Sequence, residues 1–528
     1  MKSTKKSHSF LSTELLVPGA NMIDPARLNL FNNHLVQSVV LAETEPPRVF
    51  TNFENQVGKV SSAYKLAKND LIVSDVIRKN EFISSYILID KTDKEVFIFK
   101  RTEASNITES YGYKNINPID KYSKGQVIEA GEPLFYNTAY DEELNFGFGV
   151  NLNTIFSTRD NKTYEDAIVV SETAAEKLKS HNVHTVDISL NSNDMLMNLY
   201  GDNEVFQSFP LIGENIRNGV LCARRRLRHV SSLAEFSNDA MSDINYNTDT
   251  VFYCEGKVID IEIYSNQTIE EISKHIVFQN EANVLNEQQE YSEKIIDAYN
   301  LLKVKYTGYK FSDDFNFEYE RSKLFLDTDR NWKIDGKEFD YLYYRFTILE
   351  ENSLQRGNKI TNRFGNKGVI SRIVPDDDMP KTSTGKPVEV ILNSLGVVNR
   401  TNPAQLIEQE LNFIAENIVD KIKLLYETDM VQCENLFFTF FKIANPEQYK
   451  ILEEAYTSIE LSERYLFWEE VINEGMYIHQ SPFYDNIGFE RLSALHKEFE
   501  LDPYEITNIE TPMVMGKMYF MRLTFSLL

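Results

Sequence analysis

Cysteines and several common motifs are scarce or missing in this chain. Among its 528 residues the only cysteines lie far apart, without a Cys-x-x-Cys pair: Cys222, Cys254 and Cys433. This spacing argues against a disulfide framework or a structural zinc site and suits a reducing compartment. No apolar run approaches the roughly 18 residues of a membrane span, and we expect neither a membrane partner nor a secretory signal. The motifs GxxxxGK[ST], HExxH and GxSxG are absent, which argues against an independent hydrolase centre.

Positive charge is also scarce, since 55 Lys and Arg residues stand against 80 Asp and Glu residues and the net charge is −25. Such a chain repels nucleic acid at long range. The content of 42% hydrophobic and 12% aromatic residues nevertheless indicates a folded globular protein, and the length predicts roughly three to four domains. If the chain binds nucleic acid, we therefore expect basic partner subunits to assist.

What the sequence does contain is a basic loop segment. Residues 351–402 carry eight Lys or Arg and five Asp or Glu, so this segment is positive within an acidic chain. It contains Gly-Asn-Lys twice, at Gly357–Lys359 and Gly365–Lys367, with Arg363 between the two lysines. Glycines let a ligand approach the main chain closely, and backbone N–H groups joined by lysine charges form a cradle for phosphate oxygens. The segment predicts a polyanion-binding site, with an ordinary surface loop as the alternative.

Other charged clusters allow a functional and a structural interpretation. Glu165 and Asp166 precede a strand-like segment and either supply carboxylates to a metal or form a solvated turn. Asp376–Asp378 lies in a proline-flanked loop, where water and backbone N–H groups can satisfy the carboxylates. The densest basic run, Arg224–His229, is either a charged hairpin edge or a contact with nucleic acid or an acidic partner.

Residue patterns predict a mixed α/β chain of several domains. β-Branched and aromatic residues with frequent turn signals predict compact β structure in 46–172. Apolar residues mostly three, four or seven apart predict an amphipathic helix over Asn280–Val304. Tyr341–Leu349 and Val388–Leu392 are strand-like. Asn402, followed by proline, is predicted to be the N-cap of a further amphipathic helix.

Several segments, taken in order, resemble the β subunit of multisubunit DNA-dependent RNA polymerases. The residues that carry the resemblance are TYEDAIVVSE at Thr163–Glu172, GKVIDIEIY at Gly256–Tyr264, GNKGVISRIVPDDDMP with the later VEVILNSLGVVNR in 365–400, and MVMGKMYFMRL at Met513–Leu523. Order and spacing agree across about residues 20 to 523. The family's large N-terminal lobes have no counterpart, and the chain stops before the family's C-terminal tail. The acidic, Asn- and Tyr-rich chain is therefore similar to the C-terminal part of a split β subunit of the large-bacteriophage type.

The resemblance implies a β-rich core with active-site loops, a flap-like module and a helical C-terminal part. The expected divisions are an N-terminal active-centre segment (1–45), a first part of the β-rich core (46–188), a flap-like module (189–275), a helical and acidic connector (276–335), a second core part with the Gly-Asn-Lys loops and the following helix (336–427), and a helical C-terminal region (428–528).

The resemblance also implies roles for individual residues. Lys359 and Lys367 match the family's paired lysines beside the RNA 3′ end and its phosphates, so they are expected to be catalytic. Arg400 matches an arginine directed at the triphosphate of the incoming nucleotide, and Arg363 is expected to join the nucleotide and RNA contacts. Phe364 stands where the family usually has histidine, so a polar role at that position is lost.

A short N-terminal segment resembles another part of the family's active centre. Asp24 and Arg27, upstream of Asn33 and Gln37, are similar to a segment whose arginine also meets the triphosphate and whose amides line the RNA. Arg27 and Gln37 are therefore expected to bind nucleotide or RNA.

The reaction implied by the resemblance is attack of the RNA 3′ hydroxyl on the α-phosphate of a nucleoside triphosphate, with release of pyrophosphate. Two magnesium ions stabilise the attacking and leaving oxygens in such a reaction. In this family they are held by an Asp-x-Asp-x-Asp motif on β′, which this chain lacks. Glu165 and Asp166 match acids near the second ion that act through water rather than as direct ligands, so they too are expected to be catalytic. We therefore expect Mg²⁺ to be held mainly by a partner.

The expected partners are β′-like subunits, the N-terminal β fragment, a promoter-specificity subunit, the DNA template, the RNA transcript and nucleoside triphosphates. The expected location is the cytoplasm of an infected bacterial host or the virion. One alternative is a non-catalytic assembly or nucleic-acid-binding scaffold, against which the intact site residues argue. Another is an independent metal-dependent phosphotransferase that uses Asp376–Asp378.

Overall fold

The computed structural model describes residues 12–59, 64–108, 111–158, 163–202, 204–226, 250–267, 279–327 and 332–524. The chain forms two compact units, each built from separate stretches of sequence. We call residues 1–61, 138–180 and 352–528 the barrel unit, and residues 62–137 and 181–351 the insert unit.

Helices and strands are numbered in chain order. The α-helices are α1 Pro25–Val36, α2 Glu54–Gly58, α3 Glu172–Lys177, α4 Gln279–Lys305, α5 Asp313–Leu326, α6 Leu395–Val398, α7 Ala404–Leu425, α8 Met430–Ala444, α9 Pro446–Ser458, α10 Leu461–Glu474 and α11 Phe489–Phe499. Short 3₁₀ helices occur at Ser12–Leu16, Ala20–Met22, Pro118–Lys121 and Arg217–Gly219. The strands are β1 Val49–Phe50, β2 Tyr64–Leu66, β3 Leu71–Arg78, β4 Ile83–Asp90, β5 Glu95–Thr102, β6 Ala104–Thr108, β7 Tyr111–Ile116, β8 Val127–Ile128, β9 Pro133–Asn137, β10 Val150–Phe156, β11 Ala167–Ser171, β12 Ser180–Leu190, β13 Asp194–Leu196, β14 Val220–Arg226, β15 Thr250–Tyr253, β16 Lys257–Ser265, β17 Lys310–Phe311, β18 Leu342–Asn352, β19 Lys359–Asn362, β20 Lys367–Val374, β21 Val390–Leu392, β22 Ile478–His479 and β23 Gly516–Leu523.

A closed β-barrel forms the centre of the barrel unit, with the strand order β10-β21-β11-β20-β19-β23. Strand β11 pairs in parallel with β20 and antiparallel with β21, and β23 pairs antiparallel with both β10 and β19. Alternate side chains of such strands point inward and fill the barrel. The buried apolar residues of the barrel core include Leu152, Ile168, Val170, Ile360, Ile370, Val390, Met518 and Phe520. The packed barrel gives the connecting loops a rigid base.

Helix α7 packs against β23 and leads from the barrel into a helical core. It confirms the predicted amphipathic helix, and its buried apolar side chains include Ile407, Leu411, Ile414, Ile418 and Ile422. The predicted N-cap is wrong, because the helix begins at Ala404 with Pro403 at the N-cap position. The Asn402 amide instead donates a hydrogen bond from Nδ2 to the Phe364 carbonyl oxygen at 2.8 Å. Asn402 therefore ties the turn before β20 to the start of α7.

The insert unit contains several sheets and the helices α4 and α5. Its sheets have the strand orders β12-β18-β16, β13-β14-β15, β17-β5-β4-β3-β8 and β2-β9-β7-β6. Helix α4 confirms the helix predicted over Asn280–Val304, and it buries Tyr291, Ile295 and Leu302. Strand β18 confirms the strand predicted at Tyr341–Leu349.

The basic run Arg224–His229 lies partly on β14, and its residues 227–229 fall outside the described residues. Arg224 and Arg226 both form ion pairs with Asp194, whose side chain is completely buried. Arg225 is also buried. The described part of this run therefore neutralises an internal aspartate of the insert unit.

The predicted mixed α/β, multi-domain class is confirmed, but the two units divide the chain differently from the predicted segments. Residues 62–137 of the expected core segment 46–188 belong to the insert unit, together with 189–275 and 276–335. The difference arises because barrel strands pair across long sequence separations, as β10 does with β23. Among the residues that the structure describes, no helix combines the length and apolar character needed to cross a membrane.

Candidate functional site

Strands β19 and β20 form a hairpin that carries both predicted lysines on one face. Lys359 lies opposite Val369, and Lys367 lies opposite Thr361. Directly opposed residues of an antiparallel pair point to the same side, as do residues two apart on one strand. Lys359 and Lys367 are therefore diagonal neighbours on the outer face of the barrel. Ile360 points the other way and is fully buried in the barrel core.

Helix α1 approaches the turn of this hairpin at Gly365. The glycine has a φ of +69°, and a Cβ atom there would lie 2.4 Å from the carbonyl oxygen of Arg27. The Arg27 guanidinium donates from Nη1 to the Gly365 carbonyl oxygen at 3.2 Å. Because only a residue without a side chain permits this approach, the second Gly-Asn-Lys sequence fixes Arg27 close to the lysine pair.

Gly365→Ala is expected to destabilise the chain more than Gly385→Ala. Both glycines have a positive φ, +69° and +85°, so both alanines incur a backbone cost of about 1–2 kcal/mol. Only the substitution at Gly365 also overlaps another element, since no described atom lies within 4 Å of a Cβ at Gly385. We expect urea denaturation to give a free energy of unfolding at least about 1 kcal/mol lower for G365A than for G385A. Equal losses would contradict the close packing of α1 on this turn.

Asp166 reaches the same surface because β11 runs parallel to β20. The Val369 N–H donates to the Asp166 carbonyl oxygen at 2.9 Å. Gly368 makes this approach possible, since a Cβ atom there would lie 2.4 Å from that oxygen. The Asp166 carboxylate forms an ion pair with the Arg400 guanidinium. The adjacent Glu165 is exposed and has a φ of +51°.

Arg400 also contacts the hairpin turn directly. Its Nη1 donates to Oδ1 of Asn366 at 3.2 Å. Asn366 is the asparagine of the second Gly-Asn-Lys sequence, whose repetition was the only signal in the sequence for this residue. Arg400 is thus held by a carboxylate on one side and by an amide oxygen on the other.

Burial and neighbouring cations lower the pKa values of two side chains on this surface, Lys367 and Arg27. Burial and the neighbouring Lys359 ammonium lower the pKa of Lys367. Burial and the Arg400 guanidinium lower the pKa of Arg27. Like charges held together disfavour one another's charged forms, so an anion bound among them would stabilise all of these groups. The arrangement, which we call the cationic cluster (Arg27, Lys359, Lys367 and Arg400), suits the binding of phosphate oxygens.

The other predicted residues of the N-terminal segment differ in their contacts. Gln37 accepts a hydrogen bond at Oε1 from Lys367 Nζ at 3.3 Å, so these two predicted binding residues lie together. Asp24 caps α1, because its carboxylate accepts a hydrogen bond from the Ala26 N–H at 2.7 Å. Asn33 is exposed on α1.

His34 is a member of this surface that the sequence did not reveal. Its side chain is buried, and its Nδ1 lies 3.1 Å from the Thr361 hydroxyl of β19. Burial, together with the charges of Lys367 and Arg27, lowers the pKa of His34 to about 4. At neutral pH it is therefore an uncharged polar contact between α1 and the hairpin.

We expect His34 to make the chain less stable as the pH falls from 6.5 to about 4. The imidazole of the unfolded chain takes up a proton near pH 6.5, whereas the folded chain resists protonation until about pH 4. The unfolded state therefore binds more protons in this window, which lowers the free energy of unfolding by at most about 3 kcal/mol. Urea denaturation at several pH values should show a smaller decline for His34→Gln than for the natural chain. Parallel profiles would contradict the burial of a neutral imidazole.

The structure corrects the expected role of Arg363. Its side chain is 1% exposed, pairs with Glu408 of α7, and has its guanidinium carbon 5.2 Å from the centre of the Tyr519 ring. A guanidinium enclosed in this way cannot reach nucleotide or RNA, so Arg363 joins the hairpin to α7 instead. Burial raises the pKa of Glu408, although Arg363 opposes that effect. The neighbouring Phe364 is fully buried in an apolar cluster and holds the turn by packing.

The carboxylates considered for metal binding have other contacts. Asp376 accepts hydrogen bonds from the backbone N–H of Thr173, at 3.1 Å, and from its hydroxyl. Asp377 pairs with Lys381 at 3.3 Å, so both contacts fit a solvated loop. Within the described ranges, no three His, Cys, Asp or Glu side chains are grouped so that they could hold a metal ion. Asp166 is paired with Arg400.

Comparison with known proteins identifies the family. The family model of RNA polymerase Rpb2, domain 6, matches residues 64–525. The DNA-directed RNA polymerase subunit beta of Anaplasma marginale (strain Florida) is 26% identical over 483 residues, which cover 77% of this chain and 34% of that subunit. The subunit beta of Ehrlichia ruminantium (strain Gardel) is 23% identical over 483 residues with the same shares covered. That of Wolbachia pipientis is 25% identical over 472 residues, covering 77% of this chain and 32% of the relative.

A family match over most of the chain means that the chain belongs to the RNA polymerase Rpb2, domain 6, family. It is a β-subunit-like part of an RNA polymerase and spans about a third of the length of the curated relatives it matches. The resemblance read from the motifs is therefore confirmed at the level of the family. The bacteriophage type and the division of the subunit stay predictions.

Proposed function

We propose that this chain supplies the cationic surface that binds the incoming nucleotide and the RNA 3′ end in a DNA-directed RNA polymerase. The observation that carries the proposal is the convergence of the cationic cluster on the β19–β20 hairpin. Membership of the Rpb2 domain 6 family supports it, since the relatives are named as subunits of DNA-directed RNA polymerase.

In the proposed reaction the RNA 3′-hydroxyl oxygen bonds to the α-phosphorus of a nucleoside triphosphate. The bond from that phosphorus to the bridging oxygen breaks, pyrophosphate leaves and the hydroxyl proton is released. Arg400 and Arg27 hold the triphosphate, because a guanidinium donates paired hydrogen bonds to phosphate oxygens. Lys359 and Lys367 hold the phosphates of the RNA end, since compact ammonium charges can follow a backbone that advances after each addition. Cations fixed in advance stabilise the charge that develops on the phosphate oxygens.

The remaining site residues have supporting roles in this proposal. Gln37 lines the RNA beside Lys367. Asp166 keeps Arg400 in place until the nucleotide arrives. Glu165 and Asp166 would contact the second magnesium ion through bound water rather than as direct ligands. The magnesium ions would be held mainly by the aspartates of a β′-like partner.

The proposed assembly contains β′-like subunits, the N-terminal β fragment, a promoter-specificity subunit, DNA and RNA. The net charge of −25 supports the need for basic companions at the nucleic acid. The acidic, Asn- and Tyr-rich composition supports a bacteriophage enzyme that works in the cytoplasm of its host or travels in the virion.

Purification of the native complex through an affinity tag on this chain tests the proposal. We expect companions that carry the Asp-x-Asp-x-Asp motif, and DNA-templated, magnesium-dependent RNA synthesis that is lost when this chain is omitted from reassembly. A complex that keeps full RNA synthesis with Arg400→Ala would indicate a non-catalytic scaffold. Magnesium-dependent phosphotransfer by the isolated chain would instead favour a centre at Asp376–Asp378.

A further inference from the structure

Gln405 lies in the first turn of α7 and is completely buried. The helix that carries it is fixed in the barrel unit, because Ile407 and Leu411 are buried in the helical core. One turn later, Gln409 donates to the Thr154 carbonyl oxygen of β10 at 2.7 Å. The amide of Gln405 is thus presented to the hairpin turn from a rigid helix end.

The Gln405 amide accepts hydrogen bonds from both asparagines that flank the turn. Its Oε1 accepts one hydrogen bond from Nδ2 of Asn362 at 3.1 Å and another from Nδ2 of Asn366 at 3.3 Å. The Oδ1 atom of Asn362 in turn accepts hydrogen bonds from the backbone N–H groups of Phe364 and Asn366, at 3.0 and 3.1 Å. A single buried oxygen on α7 therefore joins both ends of the turn.

The contact between Gln405 and Asn366 decides which end of the Asn366 amide faces Arg400. The two ends of an asparagine amide have nearly the same shape, but one donates and the other accepts. When Nδ2 donates to Gln405, Oδ1 points away from it, and Oδ1 is the atom that accepts Arg400 Nη1 at 3.2 Å. If the Asn366 amide were reversed, its Nδ2 donor would face the N–H donors of the Arg400 guanidinium, and no hydrogen bond could form between them.

We propose that Gln405 is a positioning residue, which holds Arg400 in its nucleotide-binding orientation by fixing the amide of Asn366. This inference rests on the proposed function, in which Arg400 binds the triphosphate of the incoming nucleotide. Gln405 acts only through its acceptor oxygen, because its Nε2 makes no hydrogen bond to any residue that the structure describes. A side chain of similar length without an acceptor should therefore remove the effect.

Single-nucleotide addition by the reassembled polymerase tests this role. Gln405→Met keeps the length and removes the acceptor, and we expect it to lower kcat/KM for the nucleoside triphosphate about 10-fold, the typical effect of one lost hydrogen bond. Gln405→Glu keeps an acceptor and should recover most of that loss. In an Arg400→Ala background, Q405M should cause no further loss, because its effect passes through Arg400.

Gln409→Met is the matched control for a purely structural effect. Gln409 is also buried on α7, and its Nε2 donates to two carbonyl oxygens away from the cationic cluster, those of Thr154 and Val514. We expect Q409M to lower the melting temperature while kcat/KM is unchanged. If Q405M leaves kcat/KM at the natural value, or if its loss multiplies with that of R400A, the positioning role is wrong although the proposed function stands. If R400A itself adds nucleotides at the natural rate, the proposed function and this inference both fall.

Discussion

Lys359→Ala and Lys367→Ala should each slow RNA chain elongation by the assembled polymerase by on the order of 10²-fold. This is the typical loss when one preorganised contact to a developing charge is removed. The two ammonium groups lie diagonally on one face of the hairpin. Burial and the neighbouring Lys359 charge lower the pKa of Lys367, which indicates that the two lysines share one electrostatic site. The hairpin holds each lysine in place before the reaction begins. Removing one of them therefore leaves the negative charge on the phosphate oxygens without the cation that would stabilise it.

The prediction is measured as the rate of single-nucleotide addition on a primed template. A control variant distinguishes the loss of a contact at the site from the loss of one positive charge elsewhere on the chain. Lys423→Ala is the control, because Lys423 is an exposed lysine in the last turn of α7 and is not a member of the cationic cluster. We expect that control to elongate at the natural rate. Natural elongation by both hairpin variants would reject the assignment of the lysines to the active centre.

Breaking the buried pair between Arg363 and Glu408 should cause the largest loss of stability. The two side chains are 1% and 2% exposed, so Arg363→Met leaves a carboxylate enclosed without its partner. Removal of one member of such a pair typically costs about 3–5 kcal/mol, although protonation of Glu408, whose pKa burial already raises, limits the loss at low pH. Urea denaturation at neutral pH should therefore show a marked decrease in the free energy of unfolding.

A double substitution distinguishes loss of the ion pair from loss of packing. Arg363→Met combined with Glu408→Leu removes both charges and should recover most of the stability, because apolar replacement of a buried pair is often neutral. Lys381→Ala, which breaks the exposed pair with Asp377, should cost no more than about 1 kcal/mol. A loss below about 1 kcal/mol for R363M alone would contradict the buried pair.

The outcome for the hairpin and for Arg363 shows which parts of the site could be predicted from the sequence. Glycine and lysine repeated at close spacing are local signals, and the structure brings Lys359, Lys367, Arg400 and Arg27 into one cluster. Arg363 stands between the same lysines but turns inward, because Glu408 lies 45 positions later and faces it from α7. No local pattern distinguishes a guanidinium that meets solvent from one that meets a buried carboxylate.

The division of the chain into two compact units could not be predicted from the sequence for the same reason. Strand-like and helix-like segments were predicted correctly at α4, α7 and β18, where period and composition act within a few residues. The barrel requires β10 to pair with β23, more than 350 positions away, and such pairings leave no periodic signal along the chain. The predicted segment boundaries therefore followed sequence order, whereas the units follow strand pairing.

By itself, the sequence determined the chain's family motifs, its charge and the residue types available to meet phosphate. The tertiary structure alone decided which of those side chains share a surface. In the folded chain Arg363 is buried, and Asp166 forms an ion pair with Arg400. His34 and Gln405 contact residues of the hairpin. The physical reason is that a side chain's charge state and reach depend on its neighbours in space, and here those neighbours come from helices and strands far apart in the chain.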